Sequence, residues 1–231
     1  MNLKLTKLKK SIRIAVEGGD GSGKTEISLL LKDVLAEMTL VVHYFREPGG
    51  GTVLGEKVRS IVLDPAMNGE ISHLSESYLF ATARAELRHS ILAIRKSEKK
   101  NGEFSAIVTD RSIYSSLAMQ GRARGLGYKK VLQINAAAIQ DVMPDVTILL
   151  QGNPKKLFAR AGKRNLVTPE KADRMEMAGL DFQIKVHAGY EYCRMKDPKK
   201  FIMINAELSL KQVKLLVIKK LIRFMQRNAF I

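Results

Sequence analysis

The stretch Glu17-Gly18-Gly19-Asp20-Gly21-Ser22-Gly23-Lys24-Thr25 decides the fold of this chain. Before it runs Ser11-Ile12-Arg13-Ile14-Ala15-Val16, short, apolar and rich in β-branched residues. After it runs Ile27 to Leu35, which reads as a helix. The middle matches G-x-x-x-x-G-K-[ST] in the strand–loop–helix setting that this motif requires. Glycines let the backbone wrap closely round an anion with several N–H groups turned inward. The helix N-terminus adds partial positive charge. Gly18, Gly19, Asp20, Gly21, Ser22, Gly23, Lys24 and Thr25 therefore read as a cradle for the phosphates of ATP. Lys24 would reach the β- and γ-phosphates, and Thr25 would hold Mg²⁺.

Outward from the loop, strand-like and helix-like runs alternate along the 231 residues, with no internal repeat. Leu40–Phe45, Ser105–Thr109, Val146–Leu150 and Phe201–Ile204 read as further strands. Val53–Leu63, Ser72–Lys100 (one long helix or two in tandem), Ser112–Arg122, Tyr128–Val142, Leu180–Met195 and Leu208–Arg227 read as helices, and another begins at Pro154–Arg160. Arg46–Thr52 reads as a loop, since Pro48 and three glycines forbid regular structure. Residues 160–176 are polar and basic and long for a connection, which suits a mobile lid. Five strands alternating with helices imply a three-layer α/β/α P-loop fold, a parallel sheet with helices on both faces, as one domain over residues 1–231. Ligands bind beyond the carboxyl ends of such strands. The P-loop, Arg46-Glu47, Asp110-Arg111 and Gln151 all leave strands at that rim.

Composition narrows the class. At 45% hydrophobic the chain can bury a full core. A single cysteine, Cys193, excludes a disulfide framework and fits a reducing cytoplasm. No apolar run approaches the roughly 18 residues of a membrane span. Met1–Lys10 is basic but lacks the apolar core of a signal peptide. The net charge of +16 suits polyanionic small substrates or nucleic acid. With no tryptophan and scattered aromatics, a specific nucleic-acid surface is not expected. Lysines such as Lys99, Lys100, Lys129 and Lys130 read as solvated surface.

Arg46-Glu47-Pro48-Gly49-Gly50, Leu54–Arg59, Leu79-Phe80-Ala81-Thr82-Ala83-Arg84 and Asp110–Gly121 follow the P-loop in order, and then come Pro144–Thr147 and Asp173-Arg174-Met175-Glu176. In order and spacing, from Arg13 to Val213, this resembles thymidylate kinase of the bacterial kind. The resemblance implies transfer of a phosphoryl group from ATP to dTMP, a homodimer joined through long helices, and no membrane. It implies that Phe80 stacks on thymine, that Arg84 reads it, and that Ser116 and Gln120 add polar contacts. Phe80 and Arg84, like Ser116 and Gln120, are four apart and share a helix face. Arg59 and Arg111 would hold the monophosphate, to which a guanidinium fork is suited. Asp20 would face the sugar 3′-hydroxyl. Glu47 and Asp110 are expected near Mg²⁺ or paired with Arg46 and Arg111. The P-loop carries Gly21-Ser22 where some relatives place a basic residue, so catalytic charge is expected from Arg160, Lys163, Arg164 or Arg174 beside Lys24 and Arg111.

Three positions depart from the family's pattern. Met119 stands where a tyrosine usually packs against the sugar's 2′ carbon. Ser112 replaces an aromatic residue or histidine after Asp110-Arg111. Gln151 replaces the usual aspartate after the fourth strand. The alternatives are another nucleoside monophosphate kinase, or a P-loop protein that binds nucleotide or nucleic acid without efficient turnover. The amphipathic closing helix also admits association with a membrane surface, although packing on the sheet explains its apolar positions more simply.

Overall fold

A computed structural model describes residues 7–38, 41–167 and 173–231, the side chains of residues 164–167 excepted. Five strands form one parallel sheet: β1 (Ile12–Gly18), β2 (Val41–Arg46), β3 (Ser105–Asp110), β4 (Val146–Gln151) and β5 (Phe201–Asn205). Their spatial order is β2-β3-β1-β4-β5, so β1 is central and its neighbours lead away in opposite directions. The crevice at this switch in direction is where such sheets bind ligands. Register places Val16 and Arg46 level with Asp110, and Gly18 level with Leu150.

Alternation along the strands divides the core into two layers. Ile12, Ile14 and Val16 of β1, with Val146, Ile148 and Leu150 of β4, pack on α1 (Lys24–Ala36) and α8 (Leu210–Arg227). That contact uses the apolar face of α8, through Val213, Val217, Leu221 and Met225. The opposite face, on which Arg13 and Glu17 lie, carries α2 (Val53–Leu63), α3 (His73–Asn101), α4 (Ile113–Ser116), α5 (Tyr128–Ile139) and α7 (Gly179–Lys196). The region from Ser72 to Lys100 is thus one helix, capped by the Ser72 side chain on Ser75 N–H and closed by Gly102 in the left-handed conformation.

Two segments differ from the periodicity reading. The helix expected over Ser112–Arg122 is a single α-turn, α4, which passes into a π-helix over Leu117–Ala123. There Arg124 N–H reaches back five residues to the Met119 carbonyl at 2.8 Å. The added residue per turn lets the chain follow α7, whose Gly189 lies against Ala118. π-Turns concentrate at functional sites, and apolar periodicity carries no sign of them. The second segment is the polar stretch read as an irregular connection. It is helical through Val167, as α6 (Pro154–Val167), because Leu157 and Ala161 are buried on the side facing the P-loop. The rest of the expected lid falls partly on residues 168–172, outside the described residues. From Asp173 the chain is well held: the Asp173 carboxylate accepts from Met175 N–H at 2.8 Å and Glu176 N–H at 2.9 Å.

A Cβ at Gly189 would stand 2.7 Å from Ala118 Cα. Gly189→Ala is expected to destabilise the protein by about 1–3 kcal/mol through this overpacking. Gly162 in α6 meets nothing within 4 Å, and Gly162→Ala is expected to stabilise by up to about 1 kcal/mol through helix propensity. Denaturant midpoints of the two variants check both signs.

Candidate active site

The P-loop joins the end of β1 to the start of α1. Gly21 has φ +72°, and a side chain there would overlap the Leu157 carbonyl of α6. Backbone crosses backbone at this point, so the loop cannot carry its own basic side chain at Gly21, and charge must come from elsewhere. Gly19 is equally constrained, because His187 of α7 lies where its Cβ would be.

Lys24 is buried and donates from Nζ to the Gly19 carbonyl at 2.8 Å. Burial pushes its ammonium down to about 8, helped by the charge of Arg111 and opposed by Asp20 and Asp110. Thr25 Oγ1 donates to Asp110 Oδ2 at 2.9 Å, so a hydroxyl from α1 and a carboxylate from β3 meet beside the loop. Two hard oxygen donors next to a phosphate cradle fit Mg²⁺, which keeps several waters and takes its other ligands from the substrate. Glu47 is placed otherwise. Its oxygens are held by Arg84 Nε at 2.8 Å and Arg13 Nη2 at 3.4 Å, all three side chains being buried. Neither Arg46 nor the Thr25–Asp110 pair is among these partners.

Asp20 turns towards Arg111 Nη2 at 3.1 Å and accepts from Gln183 Nε2 of α7 at 2.6 Å. Arg111 itself sits at φ +76°, an unusual conformation for a side-chain-bearing residue. Its Nη1 donates to Gly18 O at 3.3 Å, Ser115 Oγ at 3.4 Å and Tyr190 OH at 3.3 Å. Burial works against its charge, but Tyr190, Asp20, Asp110 and Glu17 outweigh it and raise the pKa. Behind Arg111 lies Glu17, with no exposure. It accepts from Ser112 N–H and Oγ at 2.7 Å each, Ser115 N–H at 3.1 Å, Ser115 Oγ at 2.6 Å and Tyr190 OH at 2.9 Å. Burial pushes its carboxyl up, and the hydroxyl hydrogen bonds hold it back. Ser112 thus has a structural use: a hydroxyl in place of a ring lets that position bond Glu17.

On the acceptor side, Arg84 is 4% exposed and four of its five N–H groups are engaged. Besides Glu47 it donates to Asn135 Oδ1, to Ser112 O at 3.3 Å and to Ser116 Oγ at 3.1 Å. Phe80 packs with Val58, Val62 and Ala83, and Met119 is buried in the cluster that holds Phe182 and Met175. Gln120 is fully buried and donates from Nε2 to Glu76 Oε1 at 2.9 Å. Arg59 donates to Pro48 O at 2.9 Å; burial lowers its pKa, as do the nearby charges of Arg46 and Arg111. Three guanidinium groups thus crowd one end of the sheet, as an anion site requires.

The remaining candidates are dispersed. Arg160 donates to Ala206 O at 2.9 Å, just past the carboxyl end of β5. The side chain of Arg164 lies outside the described residues. Arg174 is 3% exposed and bound to Glu76 at 2.7 Å and to Val62 O at 2.8 Å, none of which belongs to the P-loop. Gln151, which removes an expected negative charge, faces His187: Nδ1 and Oε1 are 2.6 Å apart, and the amide donates to the His187 carbonyl at 3.2 Å. Burial lowers the His187 pKa, aided by Lys24.

Glu17, Glu76, Arg13, Asn135, Gln183, His187 and Tyr190 escaped the sequence reading. Gln183, His187 and Tyr190 recur at i, i+4 and i+7 on α7, a spacing that puts polar groups on one face. That spacing was the available signal.

A P-loop at the centre of a five-stranded parallel sheet, beside a crowd of arginines, defines a phosphotransferase of the nucleotide-kinase class. Comparison with known proteins narrows this. The family described as thymidylate kinase matches residues 16–217. A thymidylate kinase from Thermoanaerobacter pseudethanolicus is 38% identical over 87% of this chain and 92% of its own length. One from Lactobacillus acidophilus is 37% identical over 88% and 90%. The crystal structure of thymidylate kinase from Ehrlichia chaffeensis superposes with a TM-score of 0.67 at 30% identity, covering 92% of this chain and 98% of that one. The chain belongs to the thymidylate kinase family.

The lowered pKa of Lys24 has a consequence for stability. Its pKa is 10.5 when unfolded and about 8 when folded. Between those values the unfolded chain binds more protons, so this term gains stability as pH rises from about 8 to 10.5. Lys24→Met, which removes the buried charge, is expected to stabilise by roughly 1–3 kcal/mol at pH 7. The gain should shrink to nothing above pH 10.5. Melting temperatures at pH 7, 9 and 10.5 check this.

Proposed function

We propose that this chain phosphorylates dTMP to dTDP with ATP through the following division of labour. The backbone of Gly18–Gly23 cradles the ATP phosphates, and Lys24 reaches them once their charge draws it from Gly19. Thr25 and Asp110 would hold Mg²⁺, which would supply neutralising charge to the phosphates. Arg59 and Arg111 hold the monophosphate, and Asp20 is directed to the sugar hydroxyl. Phe80, Arg84, Ser116 and Gln120 receive the base, and Met119 packs beside the sugar without offering a hydroxyl. Glu47 acts by aiming Arg84. Positive charge around the moving group comes from Lys24, Arg111 and the basic residues of α6, Arg160, Lys163 and Arg164. Arg174 supports the acceptor side through Glu76.

The observation that carries this reading is the place of Arg111. It touches Gly18 and Asp20 of the P-loop and Ser115 at the start of the acceptor-side helix. One guanidinium therefore spans the donor and acceptor halves, where a phosphoryl group must cross. The enzyme works as one kinase unit with residues 160–176 as its lid. Exposed Val53, Leu54 and Tyr78 on α2 and α3 support a homodimer across that face. No described helix is long and apolar enough to cross a membrane, and the one cysteine is buried and free, which supports a cytoplasmic site of action.

ADP release with ATP, Mg²⁺ and in turn dTMP, dUMP, UMP and dCMP tests the reading. A preference for dTMP is expected, and Arg111→Lys should cut kcat by about 100-fold or more. UMP turnover comparable with dTMP would trace lost sugar selection to Met119. No turnover with any acceptor would overturn the assignment.

A further inference from the structure

We infer that Glu76 is a positioning residue that fixes which end of the Gln120 amide faces the acceptor base. It thereby selects a base with a ring N–H over one with a bare ring nitrogen. The inference rests on the reading of Gln120 as a base contact.

Glu76 lies in the first turn of α3 and has no exposure. Its Oε2 receives Arg174 Nη2 at 2.7 Å and Arg124 Nη2 at 3.3 Å, and its Oε1 receives Arg124 Nε at 3.4 Å. A carboxylate between two guanidinium groups only accepts hydrogen bonds. The amide of Gln120 that meets it must therefore donate, and Nε2 stands 2.9 Å from Glu76 Oε1. An amide cannot turn one end without turning the other. Its oxygen is then directed away from Glu76, and Gln120 Oε1 is buried with no hydrogen-bond partner among the described residues. Buried carbonyl oxygens are rarely left so, and a ligand N–H would satisfy this one.

The surroundings indicate what that ligand is. Glu76, Phe80 and Arg84 follow one another at four-residue steps on the same face of α3. Ser116, one turn before Gln120, accepts from Arg84 Nη2 at 3.1 Å. A pyrimidine taken up here meets the remaining Nη1 donor of Arg84 and a lone acceptor from Gln120. The carbonyl and N–H edge of thymine or uracil complements that pair. Cytosine would bring its bare N3 to the Gln120 oxygen, two acceptors face to face. Glu76 thus sets selectivity without touching the base.

The test is the ratio of kcat/KM for dTMP over dCMP. In Glu76→Gln the partner amide can donate or accept, so Gln120 is free to take either orientation. The ratio is expected to fall at least tenfold while KM for ATP stays within about twofold. Glu76→Asp keeps the charge and is expected to retain most of the preference. Gln120→Ala separates the two claims. If it leaves the ratio intact, Gln120 does not contact the base and the underlying reading fails. If it collapses the ratio while folded Glu76→Gln preserves it, Glu76 does not set the orientation and this inference alone is overturned. Should Glu76→Gln not fold, neutron diffraction from the unaltered enzyme with dTMP decides, since it locates amide deuterons directly. A Gln120 deuteron on Glu76 and none towards the base is expected; deuterons pointing at the base would overturn the inference.

Discussion

A carboxylate with no exposure at the end of the central strand is the point on which the site depends. Glu17 draws hydrogen bonds from Ser112, Ser115 and Tyr190, and so ties β1 to the turn after β3, to α4 and to α7. That turn contains Arg111 at φ +76°, a conformation that costs on the order of 1–3 kcal/mol for a side-chain-bearing residue. The Glu17 bonds and the Arg111 pair with Asp20 offset the cost. Without them the turn would relax, and the guanidinium would leave the boundary between donor and acceptor.

Buried charge is used twice more, each time to aim a group. Glu47 lies between Arg13 and Arg84, and Glu76 between Arg124 and Arg174. Such pairs add little stability over an apolar packing, because removing both partners from water is expensive. Their geometric effect is definite, however. A carboxylate facing guanidinium groups can only accept, so it sets the direction of every donor around it. Gln151 and His187 act similarly beneath the P-loop without net charge, the amide meeting the ring and the carbonyl of the same residue.

The strand and helix pattern was largely legible from periodicity, and α2 coincides with its expected span. What escaped was set by neighbours. The π-helix follows from contact with Gly189, α6 continues because Leu157 and Ala161 are buried against the P-loop, and Arg174 is withdrawn from the solvent-facing stretch by Glu76. Each depends on a residue more than 25 positions away, which no local window contains.

By itself, the sequence determined the P-loop, the alternation that makes a parallel α/β sheet, and the order of motifs along its rim. These rest on local spacing: glycines that turn, β-branched runs that extend, and residues four apart that share a helix face. Only the tertiary structure decided which charges meet. Glu47 pairs with Arg13 and Arg84, not Arg46; Arg174 pairs with Glu76, not a phosphate-facing partner; Gln151 pairs with His187. The physical reason is that a buried charge takes the partner which packing brings within about 3–4 Å, and packing joins elements that the chain keeps far apart.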